Sequence, residues 1–347
     1  MPSRPRQLPA VLGDVFSVRD AIRVGVSPRR LRHRALAVPF HGVRMTIVDP
    51  VAEGATDESP LAAEARERRS DIARRARAYA SKATSHAFFI GVTAAVLWRL
   101  PLPLRVLRPA RAREGERADA AASRDIDVAV HAPHRAPRGR SVHGRRLSSA
   151  AAPVRESDGL RLSSPAAVWA ELATVLSIDE LIALGDAVVH VPRVRGMTRG
   201  APDSGLGTAK QLEASMNTGR RPGVAKLRAA LPQIRVGVAS PAETEVRLAV
   251  LRAGLPEPEL DYDVYDADGR PIGYTELAYP RWRILIEREG DHHRTDRRQW
   301  YRDIEKHAAC AAAGWTVIRL TSRHMHPTSA SAVTLIRDAL VRAGWRP

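Results

Sequence analysis

Cys310 is the only cysteine in a chain of 347 residues. One thiol excludes an intramolecular disulfide and any cysteine-based zinc site. Its neighbours in HAACAAAGW are small and apolar, the setting of a buried filler rather than a nucleophile. Aromatic residues make up only 5% of the chain, and no cluster of them forms the platform on which RNA-binding proteins stack unpaired bases. The apolar run AFFIGVTAAVLW ends at Arg99 and Pro101, too short to span a bilayer. MPSRPRQLPA is basic but is followed by no apolar stretch of a secretory signal. No basic amphipathic helix carries the large aromatic anchors of a membrane-surface segment. These absences predict a cytoplasmic protein with no membrane partner.

Acids are scarce relative to bases. Lys and Arg number 55 against 38 Asp and Glu, a formal net charge of +17. Such an excess favours a polyanionic partner, DNA first. The preponderance of Arg over Lys and the abundance of Ala also fit a GC-rich genome, which accounts for part of that charge.

The length suffices for two or three domains. FSVRDAIRVGVSPRRLRHRAL has two helix starts, Ser17 with Asp20 three residues on, and Ser27 followed by Pro28, separated by Gly25. Helix, glycine turn, helix is the helix-turn-helix plan, with Arg29, Arg30, Arg32, His33 and Arg34 on the second helix and VPFHGVRM as its wing. Residues 1–50 are therefore expected to be a winged helix-turn-helix domain, with Arg29, Arg30, Arg32 and Arg34 as its DNA contacts; an ordinary helical hairpin with a solvated basic face is the plainer alternative.

Residues 59–190 read as a middle α/β domain. It comprises a long charged helix from Ser59-Pro60, a buried helix in AFFIGVTAAVLWRLPLPL, a strand in DIDVAVHA, a basic loop and strand edge in HRAPRGRSVHGRRL, and a helical block that breaks near Ser177. Residues 191–239, rich in Arg, Gly, Pro and Ser, read as a basic linker with one short helix. From Ser240 to the end, the pattern is helix, three strands, helix, strand, helix, with DADG as the hairpin turn.

RILIEREGDHHR then stands out. A buried strand, Ile284-Leu285-Ile286, leaves the core through Glu287, Glu289 and His293, and the preceding strand is expected to end with Glu276. Carboxylates brought together by adjacent strands repel unless a cation sits among them, and oxygen ligands suit Mg²⁺ or Mn²⁺. Glu243 on the preceding helix is a further ligand or simply the acid of a capping box. His293 can carry a proton to or from water or phosphate, with Arg294 beside it as a phosphate contact. Gln299 and Asp303 lie one turn apart on the next helix and either face the same cavity or form a solvated face; Lys306 is the next cation along it. Carboxylates holding a metal, with a histidine and a cation, are what phosphodiester hydrolysis needs.

SPAETEVRL, ELAYP, ILIEREGDHHR and QWYRDIEKHAACAAAGWTVIRLT together resemble the very-short-patch-repair-like endonuclease domain of actinobacterial proteins, a branch of the PD-(D/E)XK nuclease superfamily, over about the last third of the chain. FSVRDAIRVGVSPRRLRHRAL resembles the winged helix of AbiEi-type antitoxins, and TSHAFFIGVTAAVLWRLPLP with DELIALGDAVV is similar to their middle region. The resemblance implies a multidomain α/β protein: an N-terminal winged helix-turn-helix, an AbiEi-like middle α/β domain, and a restriction-endonuclease-like αβββαβ domain over 240–347. It implies a divalent-metal-dependent endonuclease acting on DNA, with Glu276, Glu287 and Glu289 at the metal-binding acid positions and His293 and Asp303 as the family's histidine and helix acid. Glu276 and Glu289 stand where the family has Asp, and its lysine after the paired acid is absent. A second expectation therefore stays open: an AbiEi-like antitoxin or transcriptional regulator, with a cognate toxin as partner and a nuclease domain that no longer cuts.

Overall fold

The computed structural model describes residues 8–47, 59–108, 125–193, 205–289 and 297–346, with backbone alone for 297–303. It is a mixed α/β protein with three separate sheets. The chain forms two compact units, Met1–Gly54 with Pro60–Leu172, and Ala173–Pro347 with Ala55–Ser59. Among the described residues no helix is long and apolar enough to cross a membrane.

The first unit opens with β1 (Val15–Ser17), α1 (Val18–Arg23), α2 (Pro28–Leu31), β2 (Leu36–Ala37) and β3 (Val43–Thr46). Both expected caps are made: Ser17 Oγ accepts from Asp20 N at 3.0 Å, and Ser27 Oγ from Arg30 N at 3.3 Å. Gly25, at φ 84°, takes the left-handed turn between the helices. The strands pair in the order β1-β3-β2, over a core of Phe16, Ala21, Val26, Leu31 and Leu36. The second helix is shorter than expected. It stops at Leu31, and His33 N bonds back to Arg30 O at 3.1 Å. Leu31 and Leu36 are both buried, and on a continuing helix they would point roughly 140° apart, so a turn is what lets both reach one core. Arg32 and Arg34 consequently stand in that turn rather than along a helix.

The same unit continues through α3 (Pro60–Ala80), β4 (Phe88–Phe89), α4 (Gly91–Leu97), α5 (Leu104–Leu107), β5 (Ile126–His131), β6 (Val142–Leu147), β7 (Val154–Ser157), β8 (Leu160–Ser163) and α6 (Pro165–Glu171). Its sheet has the order β6-β5-β4-β8-β7. AFFIGVTAAVLW, expected as one helix, divides at Gly91, whose φ of 53° turns strand β4 into α4. Phe88 and Phe89 then pair with Ala129 and Val128 of β5.

The second unit contains α7 (Ile178–Val189), α8 (Ala209–Asn217), α9 (Val224–Ala230), α10 (Pro241–Arg252), β9 (Glu259–Tyr265), β10 (Pro271–Tyr279), β11 (Ile284–Arg288), α11 (Arg297–Ala312), β12 (Thr316–Leu320), α12 (Ser322–Met325) and α13 (Ala330–Arg342). The stretch expected to hold one short helix holds two, α8 and α9, which bury Leu212, Met216, Leu227 and Ala230. Helix α7 is bound to α10 through a buried ion pair: Asp186 Oδ2 lies 3.2 Å from Arg247 Nη2 and accepts from Thr244 Oγ1 at 2.8 Å.

The sheet order is β12-β11-β10-β9, with β11 and β12 parallel and the other pairs antiparallel. One face buries Leu277, Ile284 and Ile286 against Val246 and Val250 of α10 and Ile336 and Leu340 of α13. The other face buries Val264, Ala278 and Leu285 against Cys310 of α11. Covering on both faces explains the unbroken apolar run of β11. The hairpin turn closes as DADG predicts, with Asp266 Oδ1 accepting from Asp268 N and Arg270 N at 2.9 and 2.8 Å, and Gly269 at φ 78°.

Candidate functional site

Side chains alternate along a strand. Ala278 and Leu285 face α11, so Glu276, two residues before one, and Glu287, two residues after the other, face the same side. The register pairs Leu277 with Ile286, which sets the two glutamates on neighbouring strands. Adjacent strands do carry the two acids, but β10 runs on to Tyr279. Glu276 therefore lies within its strand rather than at its end, because Leu277 and Tyr279 still pair with β11 and bury on the opposite face.

The two acids are in different electrostatic states. Glu276 Oε2 accepts from Arg288 N at 2.8 Å. Its pKa is nevertheless pushed up to about 7, first by burial and then by the negative charges of Glu243 and Glu287, against the weaker pull of Lys306. Burial acts in the same direction on Glu287, but there it is outweighed: Lys306 Nζ donates to Oε1, and His307 Nε2 lies 2.7 Å from Oε2. These partners hold Glu287 below its ordinary value.

Glu243 serves the helix start. Ser240 Oγ accepts from its backbone N at 3.3 Å, and its Oε2 accepts from Ala239 N at 2.9 Å. It is buried, and burial, followed by its neighbours Asp261 and Asp186 among the raising influences, lifts its pKa. Of the two sequence readings of Glu243 the capping one is made, and its charge also acts on Glu276. Glu289 does not join the pair; it turns to Arg319 Nε on β12, and its backbone N donates to Leu320 O at 2.8 Å.

His293 and Arg294 lie outside the described residues, and Gln299 and Asp303 lie on the part of α11 described by backbone alone. Lys306 does reach the acid pair, and its ammonium also sits 5.9 Å from the Tyr274 ring centroid. His307 is a partner of Glu287 that the sequence reading passed over. Its signal was present, because Cys310 three residues on is the buried apolar position of the same helix. At the N-terminal module, Arg29, Arg32 and Arg34 are exposed, and Arg30 is half-buried.

The acid pair suits a hard divalent cation in charge and donor type. Burial first, and then the charges of Glu243 and Glu287, leave the half-buried Glu276 with a proton near neutrality, and a cation beside it would relieve that charge. Among the described residues no three His, Cys, Asp or Glu stand together as a metal-ligand set. Glu276 and Glu287 therefore offer two protein ligands, and Mg²⁺ commonly completes its shell with water and phosphate oxygens. Compared with protein-family models, curated proteins and solved structures, the chain finds no match.

Proposed function

We propose that the C-terminal part of the chain is a divalent-metal-dependent endonuclease domain acting on DNA, preceded by a DNA-binding winged helix. The observation that carries the reading is the pair Glu276–Glu287, facing one side of adjacent strands, with Glu276 lifted to about 7 and Glu287 held charged by Lys306. The order helix, three strands, helix, strand from α10 to β12 supports it, as does the resemblance to the very-short-patch-repair-like branch of the PD-(D/E)XK superfamily.

In this reading Glu276 and Glu287 would hold Mg²⁺ or Mn²⁺, which would supply neutralisation of the phosphate and acidification of water. Glu276 would have to be deprotonated to serve as a ligand. Lys306 places positive charge beside the same carboxylates, where the negative charge of a phosphodiester in the transition state would gather. His307 fixes the orientation of Glu287 from the helix side.

A second reading is favoured by a separate observation. Both oxygens of Glu287 are occupied by Lys306 and His307, and Glu289 is occupied by Arg319. A site satisfied internally suits an AbiEi-like antitoxin or transcriptional regulator, with a cognate toxin as partner and a nuclease domain retained as a structural or DNA-binding module.

Glu276→Asp separates the two readings by sign. In a working site adjusted to the longer side chain, shortening it withdraws the carboxylate from the ion and lowers DNA cleavage about 10-fold or more. In a decayed site the change restores the family's residue, and cleavage rises, most of all together with Glu289→Asp. Cleavage rates at equal metal concentration and equal folded fraction decide between them.

A further inference from the structure

The first unit has a surface that the proposed cleavage site does not use. From Val128 to Arg155 the chain contains no Asp or Glu, while Arg135, Arg138, Arg140, Arg145 and Arg146 fall within twelve residues. All five are exposed. Several other arginines are matched to acids, as Arg108 is to Glu64, Arg193 to Asp261 and Asp263, and Arg252 to Asp179. Among the described residues none of these five has an ion pair.

The backbone gathers them. Among the described residues strand β6 is an edge of its sheet, paired with β5 alone. The loop before it folds back onto it at Gly144, where an added Cβ would stand 1.7 Å from the Pro137 carbonyl oxygen. Only glycine permits that approach. The loop's Arg138 and Arg140 are thereby held to the same edge as the strand's Arg145 and Arg146.

We infer that this edge binds the phosphate backbone of duplex DNA, as a contact surface separate from the N-terminal helix-turn-helix. Exposed guanidiniums without acid partners are complementary to a regular row of phosphates. Residues 128–155 contain no Phe, Tyr or Trp. The edge thus lacks the large aromatic platforms of single-strand-binding grooves and the aromatic anchors of a lipid interface. Such contacts position a duplex without reading its sequence. The inference rests on DNA as the partner and not on cleavage.

The test is fluorescence anisotropy of the full chain with a labelled random-sequence 24-bp duplex (about two helical turns) across a salt titration. The variant Arg138→Gln/Arg140→Gln/Arg145→Gln/Arg146→Gln should bind more weakly and flatten the slope of log affinity on log salt by about 0.9 for each arginine that meets a phosphate. The matching quadruple Lys variant, which keeps the charge, should retain most of the slope. Arg138→Gln/Arg140→Gln, confined to the loop, should show part of the loss even if the strand variant folds poorly. A wild-type slope in both Gln variants, with or without increased aggregation, would overturn the inference and leave these arginines as guards of an open strand edge. Absence of duplex binding by the wild-type chain would also overturn it. Binding that depends on the edge in a protein that never cleaves would uphold it while removing the nuclease reading.

Discussion

Glu276 and Glu287 occupy neighbouring strands and face the same side, yet one sits near 7 and the other is held below its ordinary value. The difference lies in their partners. Glu287 has Lys306 and His307, whereas Glu276, among the described residues, has one backbone donor and two nearby negative charges.

That asymmetry predicts a pH dependence of stability. The folded pKa of Glu276 is raised, so its favourable contribution is complete below about 4.5, the ordinary glutamate value, and is lost as pH rises to about 7. Wild type should lose stability across that window, by on the order of 3 kcal/mol at most, and less in practice because the side chain is only partly buried. Glu276→Gln should gain on wild type at pH 8 and converge with it at pH 5. Urea unfolding at the two pH values measures this; a constant gap between the proteins would contradict it.

Breaking the Glu287–Lys306 pair should be costly and non-additive. Glu287→Gln and Lys306→Met should each destabilise by about 1–3 kcal/mol, and the double variant by much less than their sum, because neither charge then remains unpaired. Thermal melts of the four proteins close the cycle. Simple additivity would mean that the two side chains are not coupled.

The strut between α7 and α10 predicts where the C-terminal part can be cut. Asp186→Ala leaves the fully buried Arg247 with its guanidinium deprived of this partner, which should cost about 3–5 kcal/mol. A fragment beginning at Ser240 lacks Asp186 altogether and should be markedly less stable than one beginning at Ala173. Circular dichroism melts of both fragments test this, and equal stability would show that residues 240–347 fold without α7.

Much of the local structure was legible because its causes are local. The caps at Ser17 and Ser27, the turn at Asp266–Gly269 and the buried strand Ile284–Arg288 each follow from residues within a few positions. The nearness of Glu276 to Glu287 was legible too, since consecutive strands generally pair. What escaped was set by distant pairing. Glu289 meets Arg319 only because β11 and β12 run parallel with Glu287 opposite Arg319, a register no short stretch encodes. Helices α8 and α9 were hidden by Gly- and Pro-rich surroundings, and their apolar faces became legible only as buried surface. The second helix of the N-terminal pair was overextended because an arginine-rich pattern looks helical until Leu36 must also reach the core.

The N-terminal module should supply part of the DNA affinity through Arg29, Arg30 and Arg32. Removing residues 1–50 should weaken binding and flatten the salt slope by about 0.9 for each phosphate that these arginines neutralise. Gel-shift titrations at several salt concentrations measure it; an unchanged slope would place the electrostatic attraction entirely elsewhere.

The central claim is that Glu276 and Glu287 form a metal-dependent cleavage site. It is tested most directly by incubating the purified full chain with supercoiled plasmid and Mg²⁺ or Mn²⁺, with and without chelator, beside Glu287→Gln at equal folded fraction. The account predicts nicked or linear plasmid only with the metal and the wild-type protein. Intact plasmid under every condition, cleavage that survives chelator, or full activity in Glu287→Gln would contradict it.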